Sequence, residues 1–357
     1  MSKIVIIGAG KTGRGFLARL LRDNEIVFID KNQALIDSLN DAGAVNITFF
    51  GDAAESCKIS FKEAHTWETV SADIFADAEV ILVSVGGTNL SDVGAELKKY
   101  LTKDRHIIVC ENASKPAKKL YDAMGIEGIQ IAESTVFCTT IEKEKDSLDI
   151  ASEWYPYLQF DGDVFEVNPE LEGIRAVKNF GGFLDRKLFT YNSASCVIAY
   201  LGAYKGYTVY GDAANDPEIL ALLDYNYEII NECICKEYGY TEEDQKEFAL
   251  LSRAKFTNRT LVDTVARNAR EPQRKITAAE RIVSPMLLEI KYGKDSSVLE
   301  KTLAAALLYT PEEETVWNQM VAKKGYAGIL TELCGLDPES DVFHRVLAMA
   351  IAKHISF

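Results

Sequence analysis

Residues 3–30, KIVIIGAGKTGRGFLARLLRDNEIVFID, decide the fold. The run after Lys3 is continuously apolar, as in a strand buried on both faces of a parallel sheet. Gly8-Ala9-Gly10-Lys11-Thr12-Gly13 follows with the form G-x-G-x-x-G, and a helical pattern runs from Thr12 to Arg22. A second strand, EIVFID, ends on Asp30, an acid at the roughly 20-residue spacing of a dinucleotide fingerprint. Each residue has a task. Gly8 permits a tight turn, Gly10 lets backbone approach a pyrophosphate, and Gly13 lets helix pack closely on strand. The helix start at Lys11 and Thr12 offers unpaired N–H groups to phosphate. Asp30 is expected to accept hydrogen bonds from the adenosine ribose and to repel a 2′-phosphate. The expected cofactor is therefore NAD rather than NADP, although the adjacent Lys31 weakens that preference slightly. A bare glycine motif binds nothing in many loops; the strand, helix and acid around this one give it meaning.

Working outward, Asn32 can cap a helix through Leu39, with Gly43 just beyond its end. Further strands are expected at 79–85 and 106–110, each followed by a helix. The loop 84–90 (SVGGTNL), with Val85 and Gly86, lies where a chain would pass the nicotinamide half of the cofactor. Short β-rich runs over 128–168 read as the end of the same sheet. Repeated β-α units imply an α/β fold, a Rossmann-type doubly wound sheet. From Leu171 onward the periodicity is helical. The expected domains are 1–170, binding NAD, and 171–357, a mostly α-helical substrate and catalytic domain. Asp216-Pro217 forms an N-cap and N1 pair for a helix ending near Gly239, and Thr241 starts the next. Thr277-Ala278-Ala279-Glu280 has the form of a capping box. Pro272 should end the helix before it, leaving Lys275 in a turn.

The chain has 357 residues, 47% hydrophobic, enough for two cores without staples. A formal charge of −15 argues against broad nucleic-acid or anionic-membrane contact. The seven cysteines show no paired metal spacing, and His65, His106, His344 and His354 form no cluster, so no metal site is expected. Met1-Ser2-Lys3 runs straight into a strand without a signal-peptide pattern, and no apolar run suits a membrane span. A cytoplasmic protein, monomeric or a small homo-oligomer, is expected.

The second half carries the chemistry. Arg186-Lys187-Leu188-Phe189-Thr190-Tyr191-Asn192-Ser193, after LEGIRAVKNFGGFLD at 171–185, resembles the lysine signature of the polyol-specific long-chain dehydrogenases. The likeness extends through the Gly-Ala-Gly loop, Cys110-Glu111-Asn112, Ala199-Tyr200-Leu201-Gly202, the block from Arg267 to Pro285, and Tyr292-Gly293. The modest length suits the branch that uses sugar-alcohol phosphates. The resemblance implies that Lys187 is the general base, that Asn112 and Asn192 hold the developing alkoxide, and that Arg267 and Lys275 contact substrate. A desolvated lysine near other cations loses basicity, which suits that task. On an ideal helix, however, Asn192 lies well round the axis from Lys187. The family's Lys-x4-Asn-x2-His ends here in Ser195, and its Asp-Arg pair stands as Phe137-Cys138, after Ser134-Thr135-Val136.

Between Arg253 and Arg281 there are eight basic residues and three acids, a local reversal of the chain's charge. Such a segment, with Arg270 among its members, suits a small anionic substrate. Arg253, Lys255 and Arg259 read more simply as a solvated, salt-bridged helix face. The leading expectation is an NAD-dependent oxidoreductase acting on a mannitol 1-phosphate-like polyol phosphate and giving the ketose phosphate. The altered Phe137, Cys138 and Ser195 motivate a second reading, with an unphosphorylated polyol or sugar acid as substrate. A third, resting on the missing histidine, is a catalytically degraded NAD-binding sensor.

Overall fold

The computed structural model describes residues 1–50, 56–102, 105–113, 115–260 and 263–357. They form two compact units, 1–181 and 182–357.

In the first unit, β1 (Lys3–Ile7), β2 (Glu25–Ile29), β3 (Ala44–Phe49), β4 (Ser56–Ser60), β5 (Glu63–His65) and β6 (Ala78–Val83) are followed by β7 (Ile107–Val109) and β8 (Ile131–Thr135). β9 (Thr140–Glu142), β10 (Ile150–Ser152), β11 (Leu158–Asp161) and β12 (Ile174–Val177) complete the set. The main sheet has the order β12-β11-β8-β7-β6-β1-β2-β5. It is parallel except where β11 runs against β8. Ile4, Val5 and Ile6 are all fully buried, so both faces of β1 are covered, as its unbroken apolar run requires. Strand order reverses at β1, with β2 and β5 on one side and β6 to β8 on the other. Such a switch point opens a crevice at the strands' carboxyl ends.

The fingerprint helix is not the regular one expected from Thr12 to Arg22. It widens into a π-turn at Gly13–Leu17, continues through Ala18–Leu20 and stops. A second sheet, β4-β3-β10-β9, packs on this turn. A Cβ on Gly15 would come within 2.4 Å of Ile150 Cγ2. Asn32 caps Gln33–Ala42 by accepting from Leu35 N–H, and Gly43 closes it at φ +63°.

The unit boundary lies past the expected 170/171. Residues 174–177, read from the sequence as the start of the helical half, form β12, paired in parallel with β11 and therefore part of the sheet. The second unit is helical. Ser193–Tyr204 runs through its centre, with Cys196 to Leu201 essentially inaccessible. Asp216 caps Pro217–Tyr238 through Glu218 and Ile219 N–H, Gly239 ends it, and Thr241 caps Glu242–Thr257. The capping-box expectation fails. Glu280 N–H closes a turn on the Thr277 carbonyl, and the next helix starts only at Val283, because the Glu280 carboxylate is engaged by Arg281. The helix before Pro272 does end, at Ala269, but Pro272 itself opens a short helix, Pro272–Lys275, because its fixed φ suits the first helical position, so Lys275 is helical rather than in a turn.

Candidate functional site

Gly8 adopts φ +99°, and a Cβ there would lie 1.9 Å from the Ser84 carbonyl oxygen. A Cβ on Gly13 would lie 2.0 Å from the Gly8 oxygen. These two glycines close the turn. Gly10 differs: nothing approaches its Cβ position within 4 Å, and it faces a cleft of about 540 Å³. Asp30, Lys31, Trp67, Ser84, Val85 and Asn89 also line that cleft. Asp30 Oδ2 accepts from Ala9 N–H at 2.8 Å and Oδ1 from Asn32 N–H at 2.9 Å, so the acid is tied to the glycine loop. Lys31 Nζ donates to Asn89 Oδ1 at 3.0 Å. Open backbone at Gly10 beside an oriented carboxylate fits a dinucleotide.

Two supports of this cleft escaped the sequence reading. The buried Arg14 donates to the Ala9 carbonyl at 2.9 Å, to the Ser147 carbonyl at 3.3 Å and to Glu142 at 3.4 Å, fixing the loop from behind. Gly86 N–H donates to Glu111 Oε1 at 2.6 Å, tying the Val85–Gly86 loop to the next strand's end. Burial pushes the Glu111 carboxyl up. The sequence reading assigns neither residue a role of its own. Lys11 and Thr12 start the fingerprint helix, with Lys11 exposed.

Asn112 accepts from Val136 N–H at 3.3 Å and donates to the Val136 carbonyl at 3.1 Å. This fixes its amide plane against the chain leaving β8. Phe137 and Cys138, which follow, are buried. Phe137 stacks on Tyr155 at 5.0 Å, and Cys138 packs by Ser152 and the Glu153 carbonyl. They serve as core here.

In the second unit, Lys187 ends the helix Phe180–Lys187, and a π-turn, Leu188–Asn192, follows at once, with Ser193 N–H donating to the Leu188 carbonyl. In an α-helix residues five apart sit about 140° apart round the axis. A turn closed by i→i+5 bonds narrows that separation. The helix thus widens between Lys187 and Asn192, an irregularity no side-chain pattern announced. Burial, joined by the charges of Lys255 and Arg281, lowers the Lys187 amine to about 7. Ser195 accepts from Tyr210 Oη at 3.3 Å.

Lys275 is buried, donates to the Asn268 carbonyl, and lies 6.0 Å from the Tyr200 ring centroid. Burial brings it down to about 8; nearby Cys196 opposes the shift, while Arg281, Arg274 and Arg270 favour it. Arg281 therefore sits in electrostatic reach of both lysines, a position the sequence reading did not single out. Arg267 is exposed and paired with Asp263 at 2.8 Å. Arg270 is exposed at the end of Val265–Ala269. Of the three residues expected to form a plain solvated face, Arg253 pairs with Asp224 and Arg259 with Asp212. Lys255 departs from that expectation by neighbouring Lys187. Among the described residues no cluster of histidine, cysteine, aspartate and glutamate could hold a metal, and no helix is long and apolar enough to cross a membrane.

Comparison with known proteins defines the class. Residues 179–327 match the mannitol dehydrogenase C-terminal domain, and residues 4–149 match the ketopantoate reductase PanE/ApbA model. Its second half thus carries the mannitol dehydrogenase C-terminal domain, and the chain resembles the polyol-specific long-chain dehydrogenases, oxidoreductases of CH–OH groups. Among particular proteins, it is 28% identical to the mannitol-1-phosphate 5-dehydrogenase of Caldanaerobacter subterraneus, over 97% of each chain. The fold is that of a D-sorbitol dehydrogenase, with TM-score 0.76 at 14% identity over 98% of this chain and 92% of that one. Pseudomonas fluorescens mannitol 2-dehydrogenase gives TM-score 0.65 at 14% identity, over 99% of this chain and 91% of that one.

Proposed function

We propose that this protein is a cytoplasmic, NAD-dependent dehydrogenase of a sugar-alcohol phosphate, converting it to the ketose phosphate with Lys187 as general base. One observation carries the reading: a buried amine brought to about 7 by burial and by Lys255 and Arg281, on a helix that widens between it and Asn192. A neutral amine at physiological pH can take a hydroxyl proton; an ordinary lysine there is almost wholly protonated.

Gly8, Gly10, Lys11, Thr12 and Gly13 would cradle the pyrophosphate, Asp30 the adenosine ribose, and Val85 and Gly86 the nicotinamide side. NAD, when bound, supplies the acceptor for the hydride. Lys187 takes the carbinol proton as negative charge develops on oxygen, and Asn192 and Asn112 donate to that oxygen, with Ser195 as a further donor. Lys275, Arg270 and Arg281 favour an anionic substrate, because cations this close repel one another until a dianion joins them. Arg267, held by Asp263, would steer the substrate from the rim. The mannitol-1-phosphate 5-dehydrogenase relative supports the phosphorylated class.

The test is a panel of hexitol phosphates and free hexitols at equal concentration, followed by NADH absorbance. Turnover that favours phosphate esters is expected. Turnover restricted to free polyols or sugar acids would replace the substrate class. No turnover by protein that binds NAD would overturn the reading.

A further inference from the structure

The π-turn after Lys187 lacks glycine and proline, so something outside it must hold it open. One face of the helix Glu242–Thr257 lies against it, with Gln245, Phe248 and Ser252 at helical spacing. Gln245 is fully buried, and both ends of its amide are hydrogen-bonded. Its oxygen accepts from Arg186 Nε at 2.7 Å, on one side of Lys187. Its nitrogen donates to Thr190 Oγ1 at 3.1 Å, on the other side, and to Asn231 Oδ1 at 2.8 Å. Arg186 is in turn pinned by Asp244 and lies 4.1 Å from the Tyr240 ring centroid and 4.2 Å from that of Phe248. Ser252, also fully buried, donates to the Thr190 carbonyl at 3.4 Å and lies 2.8 Å from Tyr227 Oη. Widening a helix displaces carbonyls from their regular i+4 donors. A hydroxyl from a neighbouring helix at the Thr190 carbonyl is the compensation such a turn needs.

We infer that Gln245 and Ser252 are positioning residues that stabilise the π-turn and so keep Lys187 and Asn192 on one face of the helix. This deepens the proposed function and rests on it for its kinetic consequence. The geometric claim stands on the two hydrogen-bonding side chains alone. Without them the segment can relax to regular α-geometry, which shortens the hydrogen-bonded rings and turns Asn192 away from the amine. Neither residue touches substrate in this scheme; both act through the backbone they hold.

The test uses Gln245→Leu, Ser252→Ala and the hydroxyl-retaining Ser252→Thr in the full chain. Supporting groups around a reacting centre typically matter by 10- to 100-fold, so kcat is expected to fall by roughly that factor in Gln245→Leu with KM within about twofold. Ser252→Ala should show a smaller loss, and Ser252→Thr should recover it. A second readout needs no turnover: the pH dependence of Lys187 acetylation, followed by peptide mass spectrometry. In the variants its midpoint should move up from about 7 as water reaches the amine. Well-folded Gln245→Leu and Ser252→Ala proteins with the wild-type acetylation profile would overturn the inference. If Gln245→Leu fails to fold, Ser252→Ala and Ser252→Thr decide it. If the wild type turns over no polyol phosphate, the proposed reaction falls while the acetylation profile still judges the positioning claim.

Discussion

The π-turn at Gly13–Leu17 exists because side chains are missing, and the one at Leu188–Asn192 because particular side chains are present. In the first, bare Cα positions at Gly13 and Gly15 let backbone sit against the Gly8 oxygen and Ile150. In the second, Gln245 and Ser252 reach in from another helix and hold Thr190. A loop shaped by absences is read from its own residues. A helix shaped by distant partners has to be seen folded.

Replacing Lys187 by alanine is the largest perturbation that separates the two regions. Loss of a general base costs about 10²- to 10⁴-fold in kcat. NAD affinity, measured by NADH fluorescence titration, should stay near wild type, because the cradle belongs to the other unit. A parallel fall in both would break the division of labour between the two units. In the wild type, kcat for alcohol oxidation should rise with pH through about 7 as the amine loses its proton. A limb near 10 would contradict the buried amine.

The glycine loop is tested by two alanines. Gly8→Ala places a Cβ 1.9 Å from the Ser84 oxygen at φ +99°, which should cost on the order of 3 kcal/mol and lower the thermal midpoint. Gly10→Ala meets open space and should leave the midpoint alone while weakening NAD binding, measured by calorimetry. Equal destabilisation by both would mean that the loop is merely tight and not shaped for a ligand. A smaller effect is expected of Asp30→Ala. It removes the ribose acceptor proposed for NAD and the partner of Ala9 N–H, and should weaken NAD by roughly tenfold while narrowing the gap to NADP.

What the sequence could and could not reveal follows the same line. β1 and the caps at Asn32, Asp216 and Thr241 are local instructions, and the structure follows each one. β12 was misread because Ile174–Val177 is a short edge strand whose pairing with β11 is non-local. The Thr277 capping box failed because the Glu280 carboxylate found Arg281 instead of the helix start. Lys187 was legible only through its resemblance to a family. Its lowered basicity comes first from burial and then from Lys255 and Arg281, which lie 68 and 94 positions away in the chain. Arg14 and Gln245 had no legible signal, since a buried arginine or glutamine looks like a surface one until its partners are in place.

Burial alone does not make a site, and Glu289 is the control that sharpens the comparison. It is almost inaccessible, both carboxyl oxygens lack a hydrogen-bond partner among the described residues, and burial, with Asp295 and Glu300 nearby, pushes it up to about 9. No expected substrate or cofactor residue figures among the causes of that shift. Because the folded pKa is raised above the unfolded value, the folded chain holds a proton between about 4.5 and 9 that the unfolded chain has released. Glu289 therefore makes stability fall as pH rises through that window. Lys187 is lowered instead, so its contribution rises with pH between about 7 and 10.5. Glu289→Gln should leave kcat unchanged and flatten the stability profile between about pH 5 and 8, by up to about 1.4 kcal/mol per pH unit. Denaturant melts at several pH values read that slope. If Glu289→Gln instead reduced kcat as Gln245→Leu is expected to, the supports of the lysine would extend through the helical core well beyond the helix Glu242–Thr257.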